Sequence, residues 1–315
     1  MKIYSLQQLQ AITNFSFLIQ RVESGFAAYS KGDAAVPQVV HMEFMQPPGN
    51  LHIKCASSKE DYYAVKIASC FPKNSEEGLN TLQGMILLFC KRTGKPEVLF
   101  QDEGYLTNLR TGIAGAICAK YLAPKNLGAI GIIGTGAQAR FQLRLLRAVV
   151  DCRKVWIWSP NRNSMIQFQQ EPEFADFTIM LASTPAEAAK HCRLIATTTP
   201  SREPLLRAAD IQPGTHITAL GSDSPGKQEL DPVIFKKAKR IIVDSRLQCF
   251  AYGETFCALK ACMIAKSQVE ELGELVAGYK SARETEDEIT LADLTGLGIQ
   301  DLEIALGFKQ LLEIS

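Results

Sequence analysis

Apolar residues follow three textures along this chain. Near the start they fall at helical spacing, with Leu18, Val22, Phe26 and Tyr29 on one stripe of a helix that ends near Gly32. Ahead of it, Ser5 and Gln8 stand at capping-box spacing and open a shorter helix. The spacing then shortens to that of strands, over 39–44, 51–56, 62–70, 84–91 and 97–101. The linkers there read Pro-Pro-Gly, Ser-Ser-Lys-Glu, Pro-Lys-Asn and Thr-Gly, all turn chemistry. Such a meander predicts an antiparallel or mixed sheet. Thr107 can cap a helix that runs to about Tyr121, and Pro124 and Gly128 close this part of the chain.

The third texture alternates short apolar runs with helical patterns. Residues 129–133 read as a buried strand that stops at Gly134-Thr135-Gly136, and a helix begins at once. Ala139, Leu143, Leu146 and Val150 form its apolar face; Arg140, Arg144 and Arg147 lie opposite. Another strand follows at 154–158. This context turns a weak GxGxxA match into a dinucleotide-binding turn. Gly134 allows the sharp turn, Gly136 lets a pyrophosphate approach the backbone, and Ala139 packs helix on strand. Further strands fall at 177–181, 193–198, 215–220 and 240–244, with Thr184-Pro185-Ala186-Glu187 as a helix start. The last helix, about 297–313, carries Ile299, Leu302 and Leu306 on its stripe. The fold class is α/β: a Rossmann-type doubly wound parallel sheet after an α+β sheet domain.

Bulk properties narrow the partners. The 315 residues suit two domains, and 34 basic against 33 acidic residues leave a formal charge of +1, with no field to draw nucleic acid or anionic lipid. The opening MKIYSLQQLQ lacks a signal-peptide run, and no stretch reaches the ~18 apolar residues of a membrane span. The nine cysteines form no CxxC pair and most, such as Cys70 and Cys118, read as core residues in a reducing compartment, while four histidines argue against a multi-His metal centre. A soluble cytoplasmic protein is expected.

Several residues are placed for chemistry. The strand at 154–158 ends in Ser159-Pro160-Asn161-Arg162, without the acid that an NAD ribose usually meets. Arg162, helped by Asn161, suits a 2′-phosphate, so NADP(H) is preferred over NAD(H); the alternative is a solvated first-turn arginine. Lys66 shares a strand face with Ala64 and Ala68, and either snorkels to an edge or reaches a cavity. Arg110 aligns with Ala114, Ile117 and Tyr121 and needs a carboxylate, either a ligand's or the protein's own. Asp223 lies in the TALGSDSPG stretch where a strand runs out into a loop, as a catalytic acid/base or as a turn residue. Thr198, at another strand end, suits cofactor contact or is strand filling.

The segments VKIASCFPKN (65–74), LTNLRTGIAGAICAKYLAP (106–124), IGIIGTGAQA (130–139), TTTPSREP (197–204), GSDSPGKQELDP (221–232) and TGLGIQDL (295–302) occur in one order. With them the chain resembles the ornithine cyclodeaminase/mu-crystallin family over nearly its whole length. The resemblance implies a homodimer and a final helix that returns to the N-terminal domain. The expected domains are therefore 1–122 joined by 295–315 for substrate and dimerisation, and 123–294 for the dinucleotide. It also implies that Lys66 stands beside the substrate, that Arg110 grips its carboxylate, that Thr81 contacts it and that Asp223 is the acid/base. Gly134, Thr135, Gly136, Ala137 and Gln138 fall on the phosphate loop.

Departures from the family pattern bear on substrate choice. An arginine expected after the VP-type segment is Gln38 here, and His52 and Lys54 share a strand face where cyclodeaminases place a carboxylate for a distal ammonium. Ala292-Asp293-Leu294 stands where many relatives carry Phe-Lys-Ser. The expected function is an NAD(P)-dependent enzyme acting on the Cα–N bond of a small amino or imino acid, preferably reduction of a cyclic imino acid. Ornithine cyclodeaminase and alanine dehydrogenase-like activity are the alternatives. A non-catalytic NADPH-dependent binder, like the thyroid-hormone-binding mu-crystallins, is the reading from another class.

Overall fold

The computed structural model describes residues 1–314, which form two compact units, Met1–Arg110 with the segment from Leu297, and Thr111–Gly296. In the first, six strands lie in the order β1-β6-β5-β4-β3-β2. They are β1 (Lys2–Ser5), β2 (Val40–Met45), β3 (Pro48–Ser57), β4 (Tyr62–Cys70), β5 (Leu82–Cys90) and β6 (Pro96–Gln101). All neighbours are antiparallel except β1, which adds parallel to β6. No sequence pattern announced β1: four residues directly before a capped helix carry too little periodicity. The helix after it, Leu6–Ala11, starts as its spacing predicts, the Ser5 N–H donating to Gln8 Oε1 at 2.9 Å.

Strand alternation aims one face of β4 inward, burying Ala64, Lys66 and Ala68. The helix Gly298–Ile314 covers β3 and β4 and packs on the helix Phe15–Ser30. A Cβ at Gly298 would come within 2.4 Å of the Cys55 carbonyl oxygen, so the helix end lies directly on β3. This helix is not the one-sided element its stripe predicts. Every residue from Gly298 to Phe308 is buried, the polar Gln300, Asp301 and Glu303 included. A helix buried all round must find partners for those groups inside the protein.

A second correction concerns Thr107, which lies inside a helix that starts earlier, at Tyr105, and runs to Leu122. Asp102 does the capping instead, its Oδ2 accepting the Leu106 N–H at 2.7 Å. Glu103 and Gly104 both take positive φ to bring the chain round onto that carboxylate.

The second unit is an eight-stranded sheet with every pair parallel, in the order β13-β12-β14-β11-β10-β7-β8-β9. Its strands are β7 (Ile130–Ile133), β8 (Lys154–Trp158), β9 (Thr178–Leu181), β10 (Leu194–Thr197), β11 (His216–Ala219), β12 (Arg240–Val243), β13 (Val269–Glu271) and β14 (Thr290–Asp293). Their central residues, such as Ile132, Ile157, Ile195 and Ile217, are fully buried, as a sheet covered on both faces demands. From β7 the chain proceeds outward through β8 and β9, then returns to lay β10 on the other side of β7. That reversal creates a switch point at the carboxyl ends of β7 and β10. Among the described residues no helix is long and apolar enough to cross a membrane.

His216 is fully buried in β11, its ring between Thr290 Oγ1 at 2.9 Å and Thr218 Oγ1 at 3.0 Å. Burial, aided by the charge of Arg283, pushes its pKa down to about 3. The unfolded chain therefore binds the proton first, and this group's contribution to stability is complete above pH ~6.5 and lost as pH falls. In urea titrations, wild type should lose ~2–3 kcal/mol more than His216→Gln between pH ~6.5 and ~4.5. Equal losses in the two proteins would show that the ring is not held neutral.

Candidate active site

In the second unit the switch point is shaped by glycines. Gly134 has φ 117°, and a Cβ there would stand 2.6 Å from Thr198 Oγ1. The Thr198 N–H and hydroxyl both donate to the Ile133 carbonyl, at 2.8 and 3.2 Å, fixing the ends of β7 and β10 together. Gly136 caps the helix Ala137–Leu146, and a Cβ on it would meet no atom within 4 Å. It opens on a cavity of about 390 Å³ lined also by Gly134, Thr135, Ser159, Pro160 and Thr198. Thr135 Oγ1 lies 2.8 Å from Ser164 Oγ, tying the loop to the next helix, and Gln138 Oε1 accepts from Gln142 Nε2 at 3.4 Å. Ala137 begins the helix and Ala139 is fully buried beneath it. The positive helix end at a glycine-bared cavity fits a dinucleotide pyrophosphate.

At the end of β8, Ser159 is buried and Asn161 is occupied as a helix cap, its Oδ1 accepting from the Asn163 and Ser164 N–H groups at 3.0 and 3.3 Å. Arg162 begins that helix, exposed, and makes no ion pair among the described residues. Beyond β11, Asp223 Oδ1 pairs with Lys227 Nζ at 2.6 Å beside a cavity of about 640 Å³ that Lys227, Tyr252 and Phe256 help line.

Sequence reasoning missed the group that holds these loops. Glu229, fully buried, accepts from Thr197 Oγ1 (2.7 Å), Thr199 N (2.6 Å), Thr199 Oγ1 (2.8 Å) and Gly221 N (2.8 Å). Burial pushes its carboxyl pKa up, against those hydrogen bonds. The available signal was the run QELDP, an acid beside an apolar residue after a turn-rich loop.

In the first unit, Lys66 (1 % exposed), Lys54 (6 %) and Arg110 (5 %) are buried together with the acids Asp301 and Asp102 (1 % each). Lys54 and Lys66 are register partners on β3 and β4. Neither snorkels outward. Lys66 Nζ is 3.1 Å from Asp301 Oδ2, and Arg110 Nε is 3.2 Å from Asp301 Oδ1. Arg110 Nη1 also donates to Gln300 Oε1 at 3.3 Å. The carboxylate that Arg110 needs is thus supplied by the protein itself, from the final helix. Burial pushes the Lys66 pKa down to about 7, Asp301 opposing and Arg110 and Lys54 reinforcing. Burial likewise raises Asp102 to about 6.

The other two predicted substrate residues lie nearer the surface. The Thr81 side chain is exposed, and its carbonyl accepts the Phe71 N–H at 2.8 Å. His52 packs its ring on His41, centroids 4.5 Å apart. Gln300 and Asp301 were missed because they sit inside what reads as an apolar helix.

Comparison with known proteins places the chain. A model of the ornithine cyclodeaminase/mu-crystallin family matches residues 2–309. The chain belongs to this family. Among family relatives, the alanine dehydrogenase of Archaeoglobus fulgidus is 39% identical over 304 residues, 96% of this chain and 92% of that one. The structure of an archaeal alanine dehydrogenase dimer with bound NAD superposes with TM-score 0.92 at 36% identity, covering 100% of this chain and 96% of the other. The Δ1-pyrroline-2-carboxylate reductase of Thermococcus litoralis, in complex with NADH and L-proline, gives TM-score 0.92 at 30% identity over 100% and 98%.

The two glycines of the cradle make opposite predictions. Gly136→Ala meets no protein atom, so it should leave Tm within about a degree yet weaken dinucleotide binding roughly tenfold or more, read by NADH fluorescence titration. Gly134→Ala should instead lower Tm, because it forces an L side chain into positive φ against Thr198. Unchanged NADH affinity in Gly136→Ala would remove the pyrophosphate from this cavity.

Proposed function

We propose that this protein is a nicotinamide-dinucleotide-dependent oxidoreductase acting at the Cα–N bond of a small α-imino or α-amino acid, with reduction of the imino acid as its preferred direction. The observation that carries the reading is the buried charge of the first unit. Two buried cations, Lys66 and Arg110, share the single carboxylate of Asp301 at 3.1 and 3.2 Å, an arrangement that suits a second anion beside them. A substrate α-carboxylate is that anion. The names of the relatives, an alanine dehydrogenase and a pyrroline-carboxylate reductase, support the same class of substrate.

In this reading Arg110 and Lys66 hold the carboxylate and so fix the position of the adjacent carbon. A bound nicotinamide supplies the hydride chemistry. Asp223, held by Lys227, handles the proton on nitrogen. The dinucleotide phosphates lie on Gly134 to Gln138, with Thr198 at the neighbouring strand end. The solved relatives hold NAD or NADH, while Ser159 here presents no carboxylate against a 2′-phosphate and Arg162 is exposed beside it. Both cofactors are therefore accepted in this proposal, and Arg162 serves NADPH. We extend the proposal to a homodimer. The edge strand β2 exposes Val40, Met42, Phe44 and Met45, more apolar surface than a lone edge tolerates, and the archaeal relative is a dimer.

The alternative activity is cyclodeamination of ornithine. Lys54 speaks against it, because a distal ammonium would enter a region already rich in buried cations. The decisive assay follows NADH and NADPH consumption with pyrroline and piperideine carboxylates and with pyruvate plus ammonia. Asp223→Asn should cut kcat by about a hundredfold or more with NADH affinity retained. Proline formed from L-ornithine with catalytic NAD would overturn the reductase reading, and no turnover by either protein on any substrate would favour a binder. Arg162→Glu should raise KM for NADPH about tenfold and leave KM for NADH nearly unchanged.

A further inference from the structure

We infer that Asp301 and Gln300, at the start of the final helix, are the positioning residues of the carboxylate site, holding Lys66 and Arg110 apart and oriented without occupying all of their donors. The inference rests on the functional reading above and names residues that reading does not use.

The geometry is particular. Asp301 divides its two oxygens between two cations on different elements, Lys66 on β4 and Arg110 on the helix Tyr105–Leu122, at 3.1 and 3.2 Å. The attraction is one of charge at close range. Gln300 complements it: Oε1 takes Arg110 Nη1 at 3.3 Å and the Leu297 N–H at 2.7 Å, while Nε2 reaches the Arg110 carbonyl at 3.4 Å. Arg110 is thereby held through Nε and Nη1, and Nη2 donates no hydrogen bond among the described residues. A guanidinium held on two of three nitrogens keeps one edge for another acceptor. Both side chains are 1 % exposed, so water does not substitute for them.

The electrostatic consequence separates positioning from mere structure. The groups facing Lys66 are Asp301 on the final helix, Arg110 on the helix Tyr105–Leu122, Lys54 on β3 and Asp102 in the turn after β6. Of these, Asp301 is the main influence that keeps Lys66 protonated against burial. Carboxylate binding requires protonated Lys66 and declines as pH rises through its pKa near 7. Without Asp301 that decline must come at lower pH.

The test compares wild type, Asp301→Asn and Gln300→Met. Asp301→Asn is expected to raise KM for the imino acid about tenfold and move the alkaline limb of kcat/KM down by about one pH unit, with NADH affinity unchanged. Gln300→Met is expected to raise KM severalfold at unchanged kcat, with the limb in place. An unmoved limb and unmoved KM in folded Asp301→Asn overturn the inference. Should Asp301→Asn not fold, Gln300→Met carries the test, and an unchanged KM there overturns it. Wild type inert on every substrate would sink the functional reading alone. Calorimetric binding of pyruvate in the presence of NAD, from pH 6 to 9, then reads the same shift between wild type and Asp301→Asn, and no shift overturns the inference.

Discussion

Burying two cations side by side requires an anion, and in the first unit that anion is Asp301. Removing one partner of a buried ion pair typically costs about 3–5 kcal/mol, because the charge left behind keeps its desolvation penalty. Lys66 and Arg110 come from elements far apart in sequence, and the helix Gly298–Ile314 is placed where one carboxylate reaches both. The same helix lies on β3 with only a glycine hydrogen between Gly298 and the Cys55 carbonyl. Its burial on all sides and its polar residues are two aspects of one arrangement: Gln300, Asp301 and Glu303 are each matched, the last by Arg21 at 2.7 Å.

The second unit uses carboxylates for a different end. Glu229 joins the ends of β10 and β11 through hydrogen bonds, and its own N–H donates to Glu254 Oε1 at 2.6 Å. Asp293 Oδ2 accepts the Thr255 N–H at 2.7 Å, and burial raises its pKa to about 7. Asp244 Oδ2 takes the Gly296 N–H at 2.6 Å. Loops beyond parallel strands have no ladder of their own, so buried acids satisfy their N–H groups. A phosphate cradle made of backbone needs such rigid supports, since its donors cannot be re-aimed by a side-chain rotation.

What the sequence disclosed follows from what periodicity can carry. The strand–glycine–helix unit at 130–146 was legible because three local signals agree there, and the polar stripe of Arg140, Arg144 and Arg147 was visible too. The partners of that stripe, Glu171, Glu173 and Asp176, were not, because they arrive from the next connection. Asp301 was hidden for the same reason in stronger form. Its neighbours Leu302, Ile304, Ala305 and Leu306 make the helix look one-sided, and only the tertiary cover on its other side gives the acid a role. Thr107 misled because a threonine before an apolar run resembles a cap, whereas Asp102 with a positive-φ turn does that work from outside the run. Of the candidate site residues, Lys66 and Arg110 were visible as cations on apolar faces, but which anion they meet could not be read from either.

That ambiguity has a physical resolution. An arginine on an apolar stripe can serve the protein's own acid or a ligand's, and the two uses are not exclusive when the acid is shared. Asp301 supplies one negative charge to two cations, Lys66 and Arg110, at 3.1 and 3.2 Å. In the proposed reading, a ligand with a single carboxylate gives those cations a second anion, whereas a diamine brings further cations into the same low-dielectric region. Because Coulomb terms grow as water is excluded, that difference weighs most where the burial is greatest. On that reading, substrate choice follows the balance of cations and acids beneath the final helix as well as the shape of the pocket.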